Sequence, residues 1–209
     1  MPKLASIVLA AGASTRFGAD NKLLASFNGE PLIARTIAAV REGAGAHVLV
    51  VTGTDAAAIE NALAGTEVRF VPNPSWQDGL GSSIAAGVSA LPPDVDAAFI
   101  VPGDMPFLDP ALLRELAATF ARSEPHPIVY PATAAGEQRN PVLWPRRFFA
   151  DLALLSGPGG AKPLIQANIA QAIAVPCADA NAFADVDTPA DLKSALALSA
   201  NANERKQPH

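Results

Sequence analysis

The sequence predicts an α/β fold: a single doubly wound, mostly parallel sheet flanked by helices. Three observations carry that expectation. Apolar runs without polar alternation recur at Leu4–Ala10, His47–Val51 and Ala97–Val101, the pattern of strands buried on both faces. Helical stretches separate them through the first two thirds of the chain, as βαβ units require. Aromatic residues are only 6% of the chain although half of it is apolar, so the core is mostly Ala, Val, Leu and Ile, which suits α/β packing.

The elements follow in order. Leu4–Ala10 is the first strand, and a loop runs from Ala11 to about Asn21. Pro31 opens a helix through Arg41, because proline suits a first helical turn, and Gly43 and Gly45 end it. A strand at His47–Val51, a helix at Ala56–Leu63 and a strand at Val68–Val71 come next. Trp76–Ser82 is a Gly-rich loop leading into a helix at Ser83–Leu91, stopped by Pro92 and Pro93. The strand Ala97–Val101 ends at Pro102-Gly103-Asp104. Asp109-Pro110 reads as an N-cap plus first-turn proline for a helix to Arg122. Strands are expected at Ile128–Tyr130, Val142–Trp144 and Ile173–Pro176, and helices over Arg146–Leu155 and Gly160–Ala170. Thr188-Pro189 caps a final helix to Leu198.

At roughly 150 residues per domain, 209 residues make one large domain or two small ones. No repeat or linker divides the chain, so residues 1–200 read as one domain and 201–209 as a flexible tail. The net charge of -5 excludes a general nucleic-acid binder, so an anionic ligand must be held by a few local cations. No basic run suggests a membrane surface, and no stretch reaches the roughly 18 apolar residues of a membrane helix. The single Cys177 excludes an internal disulfide and fits a reducing compartment. The apolar N-terminus continues straight into a charged motif, so it reads as a buried strand rather than a signal peptide, and the expected location is cytoplasmic.

Ligands of doubly wound sheets lie outside the carboxyl ends of the strands. The loop after the first strand reads Leu9-Ala10-Ala11-Gly12-Ala13-Ser14-Thr15-Arg16-Phe17-Gly18, with Lys22 close behind. Gly12 and Gly18 free the backbone for close approach, successive N–H groups cradle phosphates, and Arg16 and Lys22 supply positive charge. Neither GxGxxG nor the Walker A spacing is present. Asp104 follows an apolar strand, so its carboxylate sits at the strand's carboxyl edge, where a hard divalent cation finds oxygen ligands. A turn-capping role is the alternative for Asp104. Ser82 and Ser83 fall at a helix start and also suit N-capping. His47, His126 and His209 are scattered and do not match zinc spacing, and no GxSxG elbow is present.

The string LAAGxSxRxG followed by Lys resembles the signature of the MobA-like nucleotidyltransferases, and within them most resembles molybdenum cofactor cytidylyltransferases. Five more segments match in order. Gly79-Leu80-Gly81-Ser82-Ser83 matches the loop that holds the base, and Pro102-Gly103-Asp104-Met105-Pro106-Phe107 the metal-binding motif. Asn140-Pro141-Val142-Leu143-Trp144 and Gly160-Ala161-Lys162 match the acceptor side, and Asp185–Leu192 matches the closing motif. The resemblance implies a Rossmann-like nucleotidyltransferase fold. It implies nucleotide binding by Leu9, Ala10, Ala11, Gly12, Ser14, Arg16, Lys22, Gly81, Ser82, Ser83 and Asp104. It implies catalysis by Arg16, Lys22 and Asp104, and Mg²⁺ held by Asp104 and Asp187. Asp185 competes for the second ligand position, and Asp187 could instead cap the final helix. Arg139, Asn140 and Lys162 would take the acceptor.

Relatives that use guanine tend to show LAGG where this chain has LAAG, which favours CTP. Members of the cytidylyltransferase group often carry Arg-Gly-His-Pro where this chain has Gln138-Arg139-Asn140-Pro141. They also often carry an acid, and a final Arg, in the segment that here reads Ser156-Gly157-Pro158-Gly159-Gly160-Ala161-Lys162. The implied reaction transfers CMP from CTP to the phosphate of molybdopterin, with a transient contact to a molybdenum hydroxylase as a further implication. The alternatives are a transferase using GTP or a sugar or polyol phosphate, and a non-catalytic carrier of nucleotide and molybdopterin.

Overall fold

The computed structural model describes residues 1–18 and 20–204. In chain order the elements are β1 (Leu4–Ala10), the short β2 (Ser26–Phe27) and β3 (Glu30–Pro31), α1 (Leu32–Ala44), β4 (Val48–Thr52), α2 (Ala56–Ala62) and β5 (Arg69–Pro72). They continue with α3 (Leu80–Ser89), β6 (Ala97–Pro102), α4 (Pro110–Arg122), β7 (Ile128–Ala132), β8 (Val142–Pro145), α5 (Phe149–Leu152), α6 (Lys162–Ala167), β9 (Ala172–Pro176) and α7 (Pro189–Glu204).

Among the described residues, seven strands form the main sheet in the order β5-β4-β1-β6-β8-β7-β9. β5, β4, β1 and β6 pair in parallel, as do β7 and β9, whereas β8 is antiparallel to both its neighbours. The expected mostly parallel sheet is therefore present. β8 reverses because no helix separates it from β7; a turn closed by Gly136 N–H donating to Thr133 O brings the chain straight back.

The apolar runs split into two packed layers by the period of two along each strand. Val8, Val50, Phe99 and Val101 pack with Ile37 of α1 and Leu113 and Phe120 of α4. Ile7, Val51 and Ile100 face the other way, toward Ile84 and Val88 of α3, Leu152 of α5 and Ile165 of α6. Full burial of a side chain such as Ile37 or Leu113 contributes about 1.5–3 kcal/mol, so a continuous apolar strand is stabilised from both faces.

α4 starts where expected: the Asp109 carboxylate accepts from Ala111 N–H at 2.7 Å. Other boundaries move for physical reasons. α1 begins at Leu32, with Pro31 just before it in β3. α3 begins at Leu80, not Ser83, because Gly79 turns the chain at φ +95°. The helices expected over Arg146–Leu155 and Gly160–Ala170 are cut to Phe149–Leu152 and Lys162–Ala167, flanked by 3₁₀ turns, since the glycines and proline at 157–160 break the helical path. α7 runs past Leu198 to Glu204, held by tertiary contacts such as Asn28 Nδ2 donating to Ser199 Oγ at 2.7 Å. Residues 201–204 thus continue a helix, and residues 205–209 of the expected tail lie outside the described residues.

Candidate active site

A cleft of about 850 Å³ opens at the carboxyl ends of β1 and β6. It is lined by Leu9, Ala11, Gly12, Ser14, Arg16, Lys22, Ser83, Asp104, Arg139, Asn140, Lys162 and Asp187, which are twelve of the expected site residues. The tertiary fold therefore gathers residues from six separate sequence segments into one concavity.

The β1–β6 ladder continues beyond the strands: Gly103 N–H donates to Leu9 O at 3.0 Å. A Cβ at Gly103 would lie 2.8 Å from that same oxygen, so this approach needs glycine. It sets Asp104 beside the loop after β1. In that loop Gly12 is exposed, and a Cβ there would meet nothing within 4 Å, which leaves bare backbone facing open space.

Lys22 bridges two carboxylates. Its Nζ lies 2.5 Å from Asp104 Oδ2 and 2.6 Å from Asp187 Oδ1. Arg16 Nη1 lies 2.9 Å from Asp187 Oδ2. The Lys22 and Asp104 side chains are largely buried, at 16% and 13% exposure, whereas Arg16 is 71% exposed. Burial works to lower the Lys22 ammonium, but Asp104 and Asp187 outweigh it and hold the group above its ordinary value. Burial pushes the Asp104 carboxyl up, Lys22 opposes this, and the nearby Asp185 charge adds to the rise.

Lys22 is aimed by a small network that sequence reasoning did not find. Asn21 caps the 3₁₀ turn Lys22–Leu24 by accepting from Leu23 N–H at 3.0 Å. Its Nδ2 donates to Asp55 Oδ2 at 2.8 Å, and Ser14 Oγ donates to its Oδ1 at 3.2 Å. The only sequence signal was an asparagine directly before the motif lysine.

The open question over Asp187 is resolved by the helix that follows it. Thr188 N–H and Oγ1 donate to Asp191 Oδ2 at 2.8 and 2.7 Å, and Asp191 N–H donates to Thr188 Oγ1 at 3.2 Å. This is a capping box. Asp187 is not the cap, and its carboxylate is free to meet Lys22 and Arg16. Asp185 also lines the cleft, while Val186 N–H donates to Asp104 O at 3.2 Å and ties the segment in place.

Three expected residues do not line the cleft. Ala10 is buried in the α1–α4 layer. Ser82 Oγ donates to Ser75 O and Gly79 O, both at 2.8 Å, so it stabilises the turn before α3. Gly81 is buried against residues 156 and 157. Asn73, at the end of β5, is the residue that sequence reasoning missed here: its Nδ2 donates to Ser82 Oγ at 3.0 Å and Ser83 Oγ at 3.1 Å.

The MobA-like NTP transferase domain description fits residues 6–175. The chain belongs to that family. Over these residues it carries an NTP transferase domain. It is 33% identical over 144 residues to the bifunctional protein GlmU of Sphingopyxis alaskensis, covering 68% of this chain and 31% of that protein. The chain thus spans about a third or less of the length of the curated relatives it matches. A structure of Rv0371c from Mycobacterium tuberculosis in complex with manganese superposes with TM-score 0.73 at 26% identity, covering 93% of this chain and 98% of that one. A nucleotidyl transferase from Methanothermobacter superposes with TM-score 0.81 at 24% identity, covering 96% and 99%.

The second side of the cleft comes from the antiparallel part of the sheet. Arg139 N–H donates to Pro131 O at 2.8 Å, and its guanidinium pairs with Glu137 at 2.6 Å. Arg139, Asn140 and Lys162 are all exposed. No helix among the described residues is long and apolar enough to cross a membrane.

The donor set fits a hard divalent cation. Asp104 and Asp187 converge on one point, and Asp104 Oδ1 is buried without a hydrogen-bond partner among the described residues. No cluster of three or more ligating side chains forms among the described residues, so substrate phosphates and water would complete the coordination, as is usual for Mg²⁺.

Proposed function

We propose that this nucleotidyltransferase transfers CMP from CTP to the phosphate of molybdopterin, releasing pyrophosphate and forming molybdopterin cytosine dinucleotide. One observation carries the reading: Lys22 holds Asp104 and Asp187 together at the mouth of the β1–β6 cleft, beside a loop whose backbone at Gly12 is bare. That is a site for a triphosphate and its counter-cation. Asp104 and Asp187 would hold Mg²⁺, and the bound cation would supply charge neutralisation at the phosphates. Lys22 and Arg16 stabilise the triphosphate and the leaving pyrophosphate, and Ser83 and the backbone near Ala11 face the base. An acceptor phosphate oxygen forms a bond to the α-phosphorus, and the bond from that phosphorus to the bridging oxygen of pyrophosphate breaks. The nucleophile is already anionic at neutral pH, so the residues act by positioning and charge neutralisation rather than as a strong base. Arg139, Asn140 and Lys162 grip the anionic acceptor. In this reading the protein works in the cytoplasm and passes its product to a molybdenum hydroxylase.

A sugar or polyol phosphate acceptor is the second reading. It is favoured by Asn140 and Pro158, which stand where the cytidylyltransferase group often shows His and an acid. Calorimetric titration with CTP and GTP, with and without Mg²⁺, tests the nucleotide, and product analysis with each acceptor tests the rest. Magnesium-dependent preference for CTP and turnover with molybdopterin are expected. A preference for GTP overturns the base assignment, and turnover only with a sugar or polyol phosphate overturns the acceptor. Binding of CTP and molybdopterin without pyrophosphate release makes the protein a carrier.

A further inference from the structure

The nucleotide side and the acceptor side of the cleft are joined by a backbone clamp. Residues 153–161 link α5 to α6; their last six, 156–161, carry Gly159 and Ala161 into the cleft wall and lead into Lys162, which lines it too. This segment does not stand alone. Gly81 N–H donates to Gly157 O at 2.9 Å, and Gly157 N–H donates to Asp78 O at 2.8 Å. The two bonds run in opposite directions, so the linking segment and the start of α3 satisfy each other's backbone. The fit is close. A Cβ at Gly79 would lie 2.5 Å from Gly157 C, and one at Gly81 would lie 2.6 Å from Ser156 C and O. On the far side, a Cβ at Gly160 would lie 2.8 Å from Leu80 Cδ2. Gly79, Leu80 and Ser83 of the α3 start line the same cleft as Lys162.

The geometry points to Gly81 as a positioning residue through which nucleotide bound at the start of α3 orders the acceptor segment that ends in Lys162. The inference rests on the reading that the α3 start takes the nucleotide and Lys162 the acceptor. Gly81 does not line the cleft; its missing side chain lets the two segments close on each other. Any group that immobilises the first turn of α3 removes freedom from 156–161 as well, because two hydrogen bonds and two backbone contacts cross between them. The second ligand then meets an acceptor wall already in place, which couples the two bindings without a contact between them.

Hydrogen-exchange mass spectrometry on the full chain tests this with CTP and Mg²⁺ and no acceptor. In the natural protein, the nucleotide is expected to slow exchange about tenfold both in peptides covering 76–90 and in peptides covering 153–165. Gly81→Ala pushes the segments apart. It is expected to keep the slowing in 76–90 and to lose it in 153–165. Asp109→Ala is the control, since Asp109 caps α4, lies outside the cleft lining and touches neither segment. It should behave like the natural protein. If Gly81→Ala does not fold, Gly160→Ala tests the clamp from the other side: its Cβ meets Leu80 and its φ of +55° strains alanine, so the slowing in 153–165 is expected to be lost there too while that in 76–90 stays. Slowing confined to 76–90 in the natural protein overturns the clamp. So does an equal loss in both regions of either variant. Calorimetry run alongside separates the two levels: if the natural protein binds neither CTP nor GTP, the nucleotide reading itself is wrong and the clamp's role falls with it.

Discussion

On the β1–β6 side of the cleft the charged groups are partly buried and bonded to one another, whereas on the β8–α6 side they stand exposed. Lys22, Asp104 and Asp187 meet within hydrogen-bond distance at the ends of parallel strands. Arg139 pairs with the exposed Glu137, and Lys162 stands exposed on a six-residue helix with no ion-pair partner among the described residues. The difference follows from architecture. Parallel strands end together, so their loops converge and are held by backbone bonds such as Gly103 to Leu9. The antiparallel β8 sends its loop out from the sheet, where side chains remain in water and are weakly fixed. Groups that work on the reacting phosphates gain from low dielectric and fixed geometry, and those that grip an acceptor need less of both. Asn140 and Pro158, both exposed, also fall on the β8–α6 side.

The comparison breaks most sharply at Asp104. Asp104→Asn should lower turnover on the order of a thousandfold with little change in circular dichroism; near-normal pyrophosphate release would remove this carboxylate from the mechanism. Lys22→Met should cost roughly a hundredfold in kcat/KM. It should also change the alkaline limb of stability. The Lys22 group is raised in the folded protein, so its contribution is whole below its ordinary value of 10.5 and is lost as pH rises through the higher folded value. Thermal melts of Lys22→Met above that pH should lack this loss, and an unchanged alkaline fall in Tm would refute the ion pair.

On the exposed side the effects should be smaller and of a different kind. Arg139→Ala and Lys162→Ala should each raise the acceptor KM about tenfold, near 1.4 kcal/mol, and leave the calorimetric Kd for nucleotide unchanged. Equal losses of nucleotide binding would erase the distinction between the two sides. The least effect on the reaction is expected at Asp109→Ala, remote from both. It should cost about 1 kcal/mol in urea unfolding through loss of the α4 cap and leave kinetics alone.

Much of the fold was legible in advance because local rules agreed with one another. Continuous apolar runs marked the strands, and Asp109-Pro110 marked the start of α4 to the residue. Boundaries failed where one signal opposed another. Ser82-Ser83 suggested a cap, but Gly79 had already turned the chain, so α3 begins earlier and Ser82 bonds back to its own turn. In the site, motif residues with charge or glycine were recognisable, while Asn21, Asp55 and Asn73 were not. Their role is to hold other side chains, and such a role shows only when distant partners are brought together.

By itself the sequence determined the α/β class, the order of its main elements, and the loop rich in glycine, arginine and lysine that the family signature depends on. These are local properties: periodicity, turn chemistry and motif spacing act within a few residues. Only the tertiary structure decided that Asp187 rather than the capping Asp191 meets Lys22, across 165 positions of chain. It alone decided that Gly81 closes against Gly157, 76 positions further along the chain. Both outcomes depend on where strand ends and loops converge in space, and packing of the whole sheet with its helices sets that position.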